Sequence, residues 1–339
     1  MTVAHRVLPC RGGTRDCGTR PYGSMTGAVE TLARATGSAE SEAQSRRLAE
    51  VWRACGAFEW ATIGYLSWML ALLCAYHHNL AHAARYFAIH VAIAVGIVCL
   101  AWFGARSENR AVQFARHWYP LALYIFFFEE LQGLVHAIYP NWFDRWLIQF
   151  DYNFAGVDPA VWLVRFATPA LNDFMQFSYM TYFLYLVILP AILYIEEQHA
   201  AFWTVMVATA IAHYSVYVIA VLFPVESPYF ALASLNLPQL RGGAFTTTIE
   251  FIERFGRVHG AAFPSAHVAG SMVALLAARR YKPWLFWICL PFFLSMCVAT
   301  VYGRYHYVAD VLAGIVVGAI AWVAGWWLTG CDGAVPEIG

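Results

Sequence analysis

Residues 200–223 read AAFWTVMVATAIAHYSVYVIAVLF, a run with no Asp, Glu, Lys or Arg. As an α-helix this run is about 36 Å long at about 1.5 Å per residue. The hydrocarbon core of a bilayer is about 30 Å thick, so the run is long enough to cross it. Working outward, seven more apolar segments of membrane-spanning length appear, at residues 60–76, 86–103, 118–138, 174–195, 264–278, 284–302 and 308–328. Composition agrees with them. Of 339 residues, 60% are hydrophobic and only 12% are charged, against about 25% charged in a soluble domain. A water-soluble globule, a disordered chain and a nucleic-acid binder are all poorly matched by these values. The expected fold class is an all-α integral membrane protein with about eight transmembrane helices.

Charge sorts along this frame. With the N-terminus inside, the inside segments carry 14 Lys and Arg and the outside segments carry 7. The sign of that difference follows the positive-inside rule. Both termini then face the cytosol, and the long loops 139–173 and 224–263 face the exoplasmic or periplasmic side. Residues 1–40 read as a disordered cytosolic tail, because they are rich in Arg, Gly and Ser and lack the apolar core of a signal peptide. Residues 41–58 suit a short amphipathic helix. The aromatic and charged stretch 139–173 suits interfacial or re-entrant helices. Cys10 and Cys17 have only His5 nearby, too few ligands for zinc, and no metal site is expected.

Two short motifs start the sixth and eighth segments, and the charge count puts both on the outer face. The first is Phe263-Pro264-Ser265-Ala266-His267. Proline suits a first helical turn, and the free N–H groups around Ser265, Ala266 and His267 make an anion site at a helix N-terminus. The second is Tyr302-Gly303-Arg304-Tyr305-His306-Tyr307-Val308-Ala309-Asp310. His306 and Asp310 are four apart, on one helix face. A carboxylate on one imidazole nitrogen leaves the other as a nucleophile or base. Arg304 can hold phosphate oxygens. Each residue alone has an ordinary structural reading, as an interfacial His, a packed Asp–His pair or a snorkelling Arg. Their convergence on one face favours chemistry.

These residues resemble the second and third signatures of the type 2 phosphatidic acid phosphatase superfamily. Ala266 stands where the second signature ideally has Gly, and Ala299-Thr300 stand where the third usually has Ser-Arg. The Arg304 variant, with Gly156-Val157, Pro159 and Thr168-Pro169 upstream, resembles the branch that contains fungal inositol phosphorylceramide synthase. The similarity spans about residues 115–328, so the first two segments lie outside it. A lipid phosphatase-like or phosphotransferase-like core over 115–330, with six helices, follows after a 41–114 region holding the amphipathic segment and two additional spans. The resemblance implies that His306 attacks phosphorus and forms a phosphohistidine. It implies that Asp310 orients His306, and that His267 acts as acid and then base. Ser265, Ala266 and Arg304 bind the phosphoryl oxygens. Neither a cofactor nor a metal is implied; the partners are the membrane and a phospholipid or lipid phosphate substrate. One departure stands out. The first signature, Lys-x6-Arg-Pro, is absent, and Pro228-Tyr229 stands in its place. Arg254 or Arg257 could substitute for the lost cation.

Other residues are weaker candidates. Glu129 and Glu130 lie inside the third segment, where an acid needs a partner, a proton or a cavity. They read either as cavity-lining groups or as neutral acids packed between helices, the latter favoured. His77, His78 and His82 read as an interfacial patch, and His90 and His213 as packed or hydrogen-bonded core residues. His259 is expected near the pocket. Two rival functions remain open, a catalytically inactive scaffold on the same fold and a lipid transporter. The transporter would show two related halves with paired helix breaks, which this sequence lacks.

Overall fold

The computed structural model describes residues 45, 50–235, 237–256 and 258–330. The expected disordered tail 1–40, Cys10, Cys17 and Arg257 lie outside the described residues, as do residues 41–44 and 46–49 of the segment 41–58. Of that segment, residues 51–54 are helical. From residue 51 onward the described chain forms one compact unit.

Where the sequence runs apolar, the chain is helical. The long helices are α1 (Ala57–Tyr76), α2 (Ala83–Gly104), α3 (Arg110–Leu134), α6 (Pro169–Ile195), α7 (His199–Leu222), α10 (Ala266–Tyr281), α11 (Pro283–Tyr302) and α12 (Val308–Leu328). Shorter helices connect them: α4 (Asp144–Ala155), α5 (Pro159–Val164), α8 (Pro228–Ala231) and α9 (Ala244–Gly256). Each of the eight apolar segments thus has its helix. Six are both long and apolar enough to cross a membrane, and the protein is an integral, multi-pass membrane protein. The other two are α3, which carries Arg110, Arg116, Glu129 and Glu130, and α10, which has only 16 residues.

Helix starts follow their caps more closely than their hydropathy. α3 begins eight residues before the expected apolar segment, because the Asn109 side chain accepts from the Ala111 N–H at 2.9 Å. α6 begins at Pro169 behind a Thr168 cap on the Leu171 N–H. Both caps satisfy first-turn N–H groups that the helix cannot. The stretch 139–173 holds α4 and α5, whose exposed Trp146, Phe150, Phe154 and Trp162 suit a membrane interface.

α7 is buried along most of its length and packs against α12, α10, α3 and α1. α10 is enclosed by α12, α11, α7 and α6. The α10–α12 approach needs glycine. A Cβ on Gly318 would lie 2.5 Å from the Ala269 carbonyl oxygen, and one on Gly314 would lie 2.8 Å from that of Ser265. Small residues let membrane helices pack backbone to backbone. Here they bring the starts of α10 and α12, and so the two motifs, side by side.

Candidate active site

His306 does not stand on a helix. α11 ends at Tyr302, and the chain turns through Gly303 and Arg304, whose φ is 62°. The Tyr305 and His306 N–H groups both donate to the Thr300 carbonyl, at 2.9 and 3.1 Å. Tyr307 then caps α12. The expected helix-face pairing of His306 with Asp310 is therefore corrected. Asp310 is the third residue of α12, and its Oδ2 turns back to accept the Tyr307 N–H at 2.8 Å. The same oxygen lies 3.3 Å from His306 Nδ1. A nearer acceptor is the Ala262 carbonyl, 2.8 Å from that nitrogen. A carbonyl can only accept, so Nδ1 carries the hydrogen and Nε2 keeps its lone pair. The Ala262 backbone is itself held, its N–H donating to the Val225 carbonyl at 3.2 Å.

His267 is the second residue of α10. The expected placement of Pro264 in the first turn is shifted by two positions, because Ser265 is the N-cap and Ala266 the first helical residue. Ser265 is fully buried; its Oγ accepts the Val268 N–H at 3.3 Å, and its own N–H donates to the Asp310 carbonyl at 3.1 Å. The hydroxyl expected on phosphate thus caps the helix, and the backbone bond ties the two motifs together. The His267 Nε2 lies 2.9 Å from the Tyr179 hydroxyl. The His267 and His306 rings are 5.7 Å apart, centroid to centroid.

Both rings face a cavity of about 360 Å³, which Ala266 also lines. Its walls come mainly from α3, α6 and α9. Ile125, Phe183, Val187 and Ile252 line it and are exposed on the outer surface as well, so it opens between helices onto an apolar flank. Tyr179 stacks on Tyr305, ring centroids 4.4 Å apart, and Tyr305 donates to Gln176 at 3.1 Å. Burial, reinforced by Glu253, pushes the Tyr305 phenol well up from its usual value, so it stays a donor. The polar part of the lining is acidic, with Glu129, Glu226 and Glu253. Among the described residues no Lys or Arg lines the cavity. The Arg304 guanidinium sits 5.6 Å above the Tyr229 ring and donates to the Pro238 carbonyl at 3.4 Å. Arg254 is exposed outside the lining. Asp310 lies behind His306, fully buried, not on the lining.

Two acids of α4 support this arrangement, and sequence reasoning singled out neither. The Asp144 carboxylate accepts the Glu226 and Ser227 N–H groups at 2.8 and 3.2 Å and the Tyr307 hydroxyl at 2.8 Å. Burial and the Asp144 charge hold the Tyr307 phenol far above its usual value. The Asp151 carboxylate accepts the Val308 and Ala309 N–H groups at 2.8 and 3.0 Å. It caps α12 from another helix. Burial raises the Asp151 carboxyl, and these two N–H groups oppose the rise. Tyr179 and the Ala262 carbonyl were also missed. No sequence pattern marks a backbone carbonyl, and Tyr179 looks like any aromatic in a span. Of the two adjacent acids, Glu129 lines the cavity and Glu130 is packed between helices. His259, expected near the pocket, pairs with Glu226 at 2.7 Å.

A family model described as the PAP2 superfamily matches residues 145–324. No curated protein and no solved structure matches the chain. The matched stretch runs from α4 into α12 and contains His267, His306, Asp310 and the acids Asp151 and Glu226. It leaves α1, α2 and α3 outside. Because it covers more than half of the 339 residues, the chain belongs to the PAP2 superfamily.

Proposed function

We propose that this protein transfers a polyol-phosphoryl group, of the inositol phosphate kind, from a phospholipid to a lipid hydroxyl. Superfamily membership supports a phosphatase- or phosphotransferase-type lipid phosphoesterase in general. The observation that carries the finer reading is the lining beside His267 and His306, whose charged groups among the described residues are the acids Glu129, Glu226 and Glu253. A phosphate monoester brings two negative charges, which an acidic wall repels, even with Glu226 paired to His259. A phosphodiester brings one, and the hydroxyls of a polyol headgroup donate hydrogen bonds to carboxylates. The apolar flank suits acyl chains.

In this mechanism the His306 Nε2 lone pair attacks phosphorus, and the bond to the diacylglycerol oxygen breaks. His267 gives that oxygen its proton. The acceptor hydroxyl then passes its proton to His267 while its oxygen attacks phosphorus, and the P–N bond breaks. The Ala262 carbonyl and Asp310 hold the charge and orientation of His306. The first-turn N–H groups of Ala266 and His267 stabilise the phosphoryl oxygens, a contribution that is usually the largest in such sites. Ser265 acts by holding that turn, and Arg304 by fixing the loop before His306. The basic-residue count along the sequence supports an exoplasmic site.

A second reading, a catalytically inactive scaffold, draws on the missing first signature, with Pro228-Tyr229 in its place and no Lys or Arg on the lining among the described residues. One assay separates them. Purified protein receives phosphatidylinositol with ceramide or diacylglycerol as acceptor, and phosphatidic acid in a parallel sample. The proposal expects transfer to the acceptor and little phosphate release from phosphatidic acid. It expects both to vanish in His306→Ala. Preferred hydrolysis of phosphatidic acid refutes the transferase reading, and equal traces in wild type and variant support the scaffold.

A further inference from the structure

The three helices outside the matched region enclose a second polar site. His90 of α2 and Glu130 of α3 face each other, Nε2 to Oε2 at 3.5 Å, with side chains 0% and 4% exposed. Tyr65 of α1 is buried beside them, its ring against Phe127, which lies one turn before Glu130. Among the described residues, His90 Nε2, both Glu130 oxygens and the Tyr65 hydroxyl are buried without a hydrogen-bond partner. Native proteins leave few such atoms, and a cluster of four signals something bound there.

The geometry says what is bound. His90 Nδ1 lies 2.8 Å from the Tyr86 carbonyl. That oxygen only accepts, so Nδ1 carries the ring hydrogen and Nε2 presents a lone pair to Glu130. An ionised carboxylate would face it with a second lone pair, and two acceptors repel. A single proton between them removes the conflict. Helix packing sets this approach, since the Tyr86 hydroxyl lies where a Cβ on Gly133 would be. One turn along each helix, His90 meets Glu130. The other titratable groups near the pair are Tyr65 from α1, Tyr86 from α2 and Tyr214 from α7, the last stacked on Tyr65 at 4.6 Å.

We infer that α1, α2 and α3 build a buried proton-binding site in which Glu130 and His90 share one proton. The proton resides on Glu130, because a neutral pair needs no charge separation inside the membrane. It comes from water and neutralises the carboxylate. The site sits one residue from Glu129, which lines the cavity.

Infrared spectra of the full chain in lipid nanodiscs test this. At neutral pH the wild type should show a carboxylic-acid C=O band that Glu130→Gln removes and Glu129→Gln keeps. Gln mimics the protonated acid, so Glu130→Gln should fold and unfold thermally like wild type at neutral pH. A band unaffected by Glu130→Gln overturns the inference. So does a band abolished by sodium or potassium ions, which would make a metal cation the occupant. Failure of Glu130→Gln to fold also overturns it, since Glu130 would then need its charge.

Discussion

His306 and His267 differ in how they are held, and that difference predicts how they fail. The His306 ring is fixed by a backbone carbonyl at 2.8 Å and a carboxylate at 3.3 Å, and no single side-chain change removes both. His267 has one side-chain partner at Nε2, the Tyr179 hydroxyl. Tyr179→Phe keeps the ring stacked on Tyr305 and removes the bond to His267. It should lower kcat about fivefold to tenfold, the worth of one hydrogen bond at about 1 kcal/mol. It should also shift the pH–rate limb that reports His267, with KM unchanged. A variant with wild-type kcat and pH profile would show that Tyr179 does not position His267. The motifs made both histidines legible in the sequence. Their partners were not legible, because a carbonyl has no sequence signature and Tyr179 is one of 19 tyrosines.

The elements matter through their ends. α10 and α12 approach closely at Gly314 and Gly318, and the Ser265 N–H bonds the Asp310 carbonyl across them. Gly318→Leu would push against the Ala269 backbone and the Met272 side chain. Overpacking of this kind costs about 1–3 kcal/mol. Thermal unfolding should reveal that loss, and transfer activity should fall further than stability because His267 rides on α10. Equal activity at reduced stability would contradict the link between this packing and the site. The start of α12 depends on Asp151, which caps it from α4. Burial raises that carboxyl above its ordinary value, so the folded protein holds the proton more tightly than the unfolded chain. Its contribution to stability is therefore fully present below the ordinary carboxylate value of about 3.9. It is lost as pH rises through the raised folded value. The unfolding-temperature difference between wild type and Asp151→Asn should fall over that window. A difference that is flat or rises with pH would contradict the burial account. Hydropathy located all eight long helices, yet α3 and α6 start several residues early. Asn109 and Thr168 set those starts, and polar caps do not register in an apolar average.

At the scale of the molecule, a PAP2-superfamily core carries additional helices with polar chemistry of their own. The matched region 145–324 holds the two motifs, while α3 supplies one cavity wall and α2 and α3 the His90–Glu130 pair. The class of fold followed from composition alone, because so few charges over so long a chain leave no soluble solution. The cavity's acidic character did not follow. Glu129, Glu226 and Glu253 are far apart in sequence, and only the packing of α3, α9 and the loop after α7 gathers them. The same packing turns Arg304 onto Tyr229 and away from the cavity lining. The central claim is that His306 carries the transferred group. Wild-type protein incubated with headgroup-labelled phosphatidylinositol, without acceptor, and quenched in alkali tests it most directly. The account predicts acid-labile label on His306, absent in His306→Ala and discharged by added acceptor. Label that persists in His306→Ala, or transfer without any labelled protein, would contradict it.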